Sequence, residues 1–220
     1  MSHSFNVAID GPAGAGKSTI AKRVAREKNY IYVDTGAMYR AMALYLLRLG
    51  VSPEDSDKIA KACMQADISI EYQKGEQVVL LNGENVNAFL RTEEVGNMAS
   101  YSSAVPAVRE KLVELQRKLA KTTDVVMDGR DIASVVLPDA DVKVYLTASS
   151  HTRAKRRYME LIEKGETADL EKIEQDIIER DYRDMHREHS PLVQAEDAVL
   201  IDSSNLTIEE VTERILALCR

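Results

Sequence analysis

Residues 5–29, FNVAIDGPAGAGKSTIAKRVAREKN, decide the fold. The first five, Phe5–Ile9, are apolar enough for a buried strand, and the last twelve carry a helical pattern that opens at Ser18. Between them Gly11–Ser18 fits G-x-x-x-x-G-K-[ST], the phosphate-gripping loop, in the strand-before and helix-after context that the motif needs. Gly11, Gly14 and Gly16 permit backbone conformations that turn successive N–H groups inward, and Pro12, Ala13 and Ala15 are the loop's other nucleotide-binding positions. The helix adds its own N-terminal amides to this anion nest. Lys17 reaches the β- and γ-phosphates, Ser18 presents a hydroxyl to Mg²⁺, and Thr19 extends that hydroxyl edge. A glycine-rich turn that precedes a helix by accident is the competing explanation, and the context weighs against it. ATP with Mg²⁺ is the expected ligand.

Outward from this loop, four more short apolar runs read as buried strands: Tyr30–Val33, Asp124–Met127, Val142–Leu146 and Ala198–Ile201. Each leads into helix-like sequence, which predicts an α/β fold: a five-stranded parallel sheet with helices on both faces and ligands at the carboxyl ends of the strands. Ser52-Pro53 and Pro106 are expected to open helices, Thr207 with Glu210 to form a capping box, and Gly50 and Gly165 to stop helices. The second and third strands are separated by about ninety residues, too many for a simple crossover. Within that insertion Ile68–Gln73 and Gln77–Leu81 flank Lys74-Gly75-Glu76 and predict an antiparallel hairpin. A second excursion, His151–Ser190, reads as two charged amphipathic helices joined near Gly165 to Ala168.

The 220 residues suffice for one compact domain, and 45% hydrophobic with 30% charged residues excludes disorder or a fibrous repeat. A net charge of −7 opposes broad binding to nucleic-acid polymers or anionic membranes, so any anion site must be local. Cys63 and Cys219 are the two cysteines and are read as ordinary thiols of a reducing compartment. The opening MSHSF has no signal-peptide pattern, and the longest apolar run, Ala41–Leu47, falls short of the roughly 18 residues that span a bilayer. A soluble cytoplasmic protein is expected.

A phosphate loop alone does not separate kinases from GTPase switches or motor ATPases. No N-K-x-D guanine-reading motif occurs, and the two insertions suit acceptor-binding and lid elements. After the second strand, DTGAMYR (Asp34–Arg40) offers Thr35 and, about a turn into the next helix, Arg40; Asp34 is read as loop. After the third strand, DGRD places Asp128, Arg130 and Asp131 at the ligand edge. Taken singly, these residues have plain alternatives: Thr35 or Asp131 as a helix cap, Arg109 as a solvated face residue.

In their order and spacing GPAGAGKST, DTGAMYR, LRTEEV, MDGRDI, RAKRR and ERDYRDMHR resemble the bacterial cytidylate kinases, over nearly the whole chain. The resemblance implies a nucleoside monophosphate kinase fold with a core at about 1–35, 107–149 and 191–220, an acceptor-binding insertion at about 36–106 and a lid at about 150–190. It implies transfer of the γ-phosphoryl group of ATP to CMP or dCMP in pyrimidine metabolism, by an expected monomer. By motif position Thr35 lies near the acceptor, Arg40 and Arg130 meet the CMP phosphate, and Ser100, Arg109 and Asp131 fall at cytosine-reading positions. An ionised Asp131 accepts from the cytosine 4-amino group but would face the O4 acceptor of uracil, a penalty of about 1–3 kcal/mol.

In the lid, Arg153, Arg156 and Arg157 share one helix face, as do Arg180, Arg183 and Arg187. With 9 Lys and Arg against 11 Asp and Glu, residues 151–190 are no general basic patch. Solvated helices with internal pairs such as Arg180–Asp184 are the bland alternative. The resemblance implies that Arg153 and Arg157 serve ATP, and that Arg180, Asp184 and Arg187 touch the acceptor's ribose or phosphate. Lys155, Arg156 and Arg183 are read as surface charge, and His186 and His189 receive no role.

Overall fold

The structure is a computed structural model that describes residues 3–73 and 75–219. Along the chain the elements are β1 (Asn6–Asp10), α1 (Lys17–Lys28), β2 (Ile31–Asp34), α2 (Thr35–Arg48), α3 (Ser56–Cys63), β3 (Ile68–Gln73), β4 (Glu76–Leu81), β5 (Glu84–Asn85), α4 (Glu93–Ser102), α5 (Pro106–Thr122), β6 (Val125–Gly129), β7 (Val142–Thr147), α6 (Ser150–Glu163), α7 (Leu170–His186), β8 (Val199–Asp202) and α8 (Ile208–Leu218). The expected five-stranded parallel sheet is present, in the order β2-β6-β1-β7-β8, and a small antiparallel sheet has the order β3-β4-β5. No described helix is long and apolar enough to cross a membrane.

Two compact units emerge, one of residues 3–4 and 31–125, the other of residues 5–30 and 126–219. In the second, β1 pairs in parallel with β7 (Val7 opposite Val142) and β7 with β8 (Val144 opposite Val199). Val7, Ala8, Ile9, Val144 and Leu146 bury their side chains in its core. Helix α1 packs with α8, whose start carries the expected Thr207–Glu210 capping box. Helices α6 and α7 pack together as the expected pair, and Gly165, at φ +79°, ends the first of them.

In the first unit α2 is the hub: Met38, Ala41, Met42 and Leu46 are fully buried, and it packs on α3, α4, α5 and the small sheet. The hairpin has the expected strands, with Ile68 opposite Leu81 and Gln73 opposite Glu76; Lys74 of its turn lies outside the described residues. Two local expectations need correction. Asp34 is not loop: it ends β2 and caps α2, its carboxylate accepting from the Ala37 N–H at 2.9 Å. Ser52-Pro53 does not open a helix but sits in a turn closed by Asp55 N–H to Ser52 C=O, and α3 starts at Ser56 with Asp55 as its cap. Pro106 opens α5 as expected. Cys63 and Cys219 are buried free thiols.

Candidate functional site

In the unit that carries the phosphate loop, Gly11 follows β1 with φ +147°, and a Cβ there would run into the Leu146 carbonyl oxygen. The loop lies directly against β7, so only glycine fits at this position. Loop carbonyls are taken up by side chains: Lys17 Nζ donates to Pro12 at 2.8 Å and Arg153 Nη1 to Ala13 at 2.8 Å. With those oxygens engaged, N–H groups are what the loop presents to an anion. Gly16, left-handed at φ +88°, leads into α1 with no side-chain cap, which keeps the helix terminus open to a phosphate.

Lys17 is 5% exposed. Burial first, then the neighbouring Arg130 charge, push its pKa well below the ordinary lysine value, with Asp128 and Asp10 pulling against them. Ser18 Oγ donates to Asp128 Oδ2 at 3.0 Å, so the motif hydroxyl and a buried strand-end carboxylate stand side by side. Among the described residues no group of three or more His, Cys, Asp or Glu is placed to hold a metal ion. A hard-oxygen pair such as Ser18 and Asp128 suits Mg²⁺ that takes its remaining ligands from phosphate and water, rather than a protein cage.

The DGRD segment meets α7. Arg130 Nε donates to Asp184 Oδ2 at 2.9 Å, and Arg187 Nη2 lies 3.9 Å from Asp131 Oδ1. Burial alone would raise the Asp184 pKa, but Arg130, with Arg180 and Arg187, outweighs it and holds the carboxyl below the usual range. Asp184 thus pairs with Arg130 across the fold, where the sequence suggests an internal pair with Arg180. Arg180, half-buried one turn earlier on α7, contributes its charge to both Asp184 and Lys17. Arg187 Nε also donates to Ser190 C=O at 2.6 Å, and Ser190 holds a left-handed backbone at φ +52°.

The three arginines of α6 do different work. Arg153 is buried, with Nε on the Ala148 carbonyl at 2.8 Å and Nη2 on Asp181 at 2.5 Å, besides its bond to Ala13. Arg157 is exposed and pairs with Glu160 at 2.9 Å. Arg156 is more than surface charge, since Nη2 donates to the Ser203 carbonyl at 2.7 Å, just beyond β8.

One buried acid of this unit lies outside every motif. Asp10, the last residue of β1, accepts from the N–H groups of Ile132 and Ala133 at 2.8 and 2.7 Å and so holds the turn that follows Asp131. That turn is a single π-turn, Ile132–Val136, where a regular helix was expected. Its only sequence signal is an acid at the end of an otherwise apolar strand.

The first unit carries the other acceptor candidates. Thr35 is buried at the start of α2 and Arg40 is half-buried on the same helix. A Cβ at Gly36 would crowd Arg40 Nη1 and Asp34 Oδ1, at 3.3 and 3.2 Å. Arg109 is buried on α5: its Nη1 donates to Ser103 C=O at 3.4 Å, and its guanidinium lies over the Tyr39 ring at 5.7 Å. Ser103 Oγ in turn donates to the Ser100 carbonyl at 3.0 Å. Ser100 and Arg109 are therefore linked through Ser103.

The family model described as cytidylate kinase matches residues 7–220. A cytidylate kinase of Caldicellulosiruptor saccharolyticus is 51% identical, over 97% of this chain and 95% of its own length. Another, from Lactobacillus johnsonii, is 49% identical over 98% and 94%. Among solved structures, a shikimate kinase of Bacteroides thetaiotaomicron is similar at TM-score 0.50 and 13% identity, over 98% of both chains. An uncharacterized protein of Eubacterium ventriosum is similar at TM-score 0.54 and 14% identity, over 97% of both. These two likenesses concern the fold alone. With matched motifs along nearly its whole length and relatives at half identity, the chain belongs to the cytidylate kinase family.

Proposed function

We propose that this chain transfers the γ-phosphoryl group of ATP to CMP or dCMP, giving ADP and CDP or dCDP, in pyrimidine nucleotide metabolism. The observation that supports the proposal is the cluster inside the unit that carries the phosphate loop: buried Lys17, Ser18 on Asp128, and Arg130 and Asp131 paired with Asp184 and Arg187. Gly11 to Thr19 hold the donor phosphates. Ser18, assisted by Asp128, would hold Mg²⁺, which would supply charge neutralisation for the donor phosphates.

On the acceptor side Arg40 and Arg130 take the CMP phosphate, Thr35 lies beside it, and Arg180, Asp184 and Arg187 serve the ribose or phosphate. Ser100, Arg109 and Asp131 read the base. An acceptor phosphate oxygen, already anionic near neutral pH, bonds to the γ-phosphorus as the bond to the β,γ-bridging oxygen breaks, so no strong general base is required. Lys17 and Arg130 offset the charge that spreads over the equatorial oxygens. Arg153 serves ATP through the loop whose Ala13 carbonyl it holds. Arg157 serves it directly, since its exposed pair with Glu160 is weak enough to exchange for phosphate. The net charge of −7 suits a monomer that acts on free nucleotides in the cytoplasm.

Chromatographic separation of the products from ATP, CMP and Mg²⁺ tests the transfer. ADP and CDP are expected in equal amounts, with both lost on adding a chelator. ADP without CDP would mean hydrolysis and overturn the proposal.

A further inference from the structure

Strand β2 lies at one edge of the five-stranded sheet, with β6 as its neighbour. Successive residues of a strand point their N–H and C=O groups to opposite sides, and Ile31 N–H is already bonded to Asp124 C=O at 2.9 Å. Tyr32 and Asp34 therefore turn their backbone groups to the open side, where such an edge must be covered. Two side chains of the small sheet cover it. Tyr72 OH donates to Tyr32 C=O at 3.1 Å. The Gln77 amide bonds Asp34 twice: Oε1 accepts from its N–H at 2.8 Å and Nε2 donates to its C=O at 3.1 Å, as a neighbouring strand would. Tyr72 and Gln77 face each other across the β3–β4 pair, which makes them one unit. Asn87 braces the same strand from its far end, with Nδ2 on Gln77 C=O at 2.9 Å and Oδ1 on the Val79 N–H at 3.0 Å.

What the pair holds is the start of the acceptor segment. Asp34, gripped through its backbone by Gln77, caps α2 with its carboxylate; Thr35 follows at once and Arg40 lies a turn and a half along. From this geometry we infer that Tyr72 and Gln77 are positioning residues for the acceptor nucleotide. Through the backbone of Tyr32 and Asp34 they fix the place of Thr35 and Arg40, and with it acceptor affinity. The side-chain hydrogen bonds of both residues go to Tyr32 and Asp34 in their own unit, so their effect is expected on the acceptor and not on ATP. The inference rests on the proposed CMP kinase activity and assigns its insertion a specific task.

Steady-state kinetics of Gln77→Met and Tyr72→Phe, with CMP and ATP varied in turn and urea unfolding run alongside, test it. Losing two half-buried hydrogen bonds in Gln77→Met is expected to raise KM for CMP on the order of tenfold, with KM for ATP within about twofold of the native value. Tyr72→Phe, which removes one hydroxyl, shifts KM for CMP the same way by less, and decides the matter if Gln77→Met does not fold. A merely structural role would lower the unfolding midpoint or the active fraction and leave the ratio of the two KM values unmoved; that result overturns the inference. If the native chain makes CDP and both variants keep its KM for CMP, the clamp alone falls. If the native chain makes no CDP, the proposed activity falls and takes the inference with it.

Discussion

Asp10 carries a buried carboxylate that organises the turn after Asp131, and its protonation is set by competing local effects. Burial pushes its pKa up to about 6, against the pull of the Ala133 and Ile132 amides. A folded-state pKa above the unfolded value means that the fold prefers the neutral acid. The stabilisation tied to that preference is full below about pH 4 and is lost as pH rises through about 6. Asp10→Asn, neutral throughout, is predicted to gain up to roughly 3 kcal/mol relative to the native chain between about pH 4 and pH 7. Urea unfolding at both ends of that window measures it, and a difference in stability that stays constant across the window contradicts it. Lys17 and Arg130 announce themselves in the sequence because motif spacing implies their chemistry. Asp10 does not: its partners lie 122 and 123 residues away, and only the folded sheet brings them to it.

The elements show the same division between local and distant causes. All five parallel strands were legible from their apolar runs, yet four of them begin one residue later than those runs suggest, and all five end further on, at Asp10, Asp34, Gly129, Thr147 and Asp202. Apolar patterning stops short because the carboxyl ends of these strands are polar, and polar ends are what a ligand edge requires. The hairpin was legible from alternation, whereas β5 was not, although Asn82-Gly83 signals its turn: both residues have positive φ, +50° and +81°, as a two-residue hairpin loop demands. The junction of β1 with the phosphate loop carries the sharpest element-scale prediction. Gly11→Ala would force a methyl group into the Leu146 carbonyl, a backbone atom of a central strand that cannot move aside. A loss of about 3 kcal/mol or more is expected, read as a fall in thermal midpoint and soluble yield. Native-like stability would show that the loop does not press on β7.

For the whole molecule, motif order carried further than any single motif. The phosphate loop alone allows several enzyme classes; the family match over residues 7–220 narrows them to one. The insertion is evident in the sequence from its length, and the structure groups β2 and α5 with it in one compact unit, a grouping that no composition shift signals. The phosphate loop, α6 and α7 belong to one unit, and Thr35, Arg40, Ser100 and Arg109 to the other. Asp131 is the residue to which the choice of base is assigned, so selectivity among acceptors is the property on which the proposed function stands or falls. The most direct measurement is kcat/KM by coupled ADP release with CMP, dCMP, UMP, AMP and shikimate as acceptors. CMP and dCMP are predicted to lead, with UMP lower by about tenfold or more, as an unpaired buried acceptor costs; CMP turned over no better than UMP or AMP would contradict it.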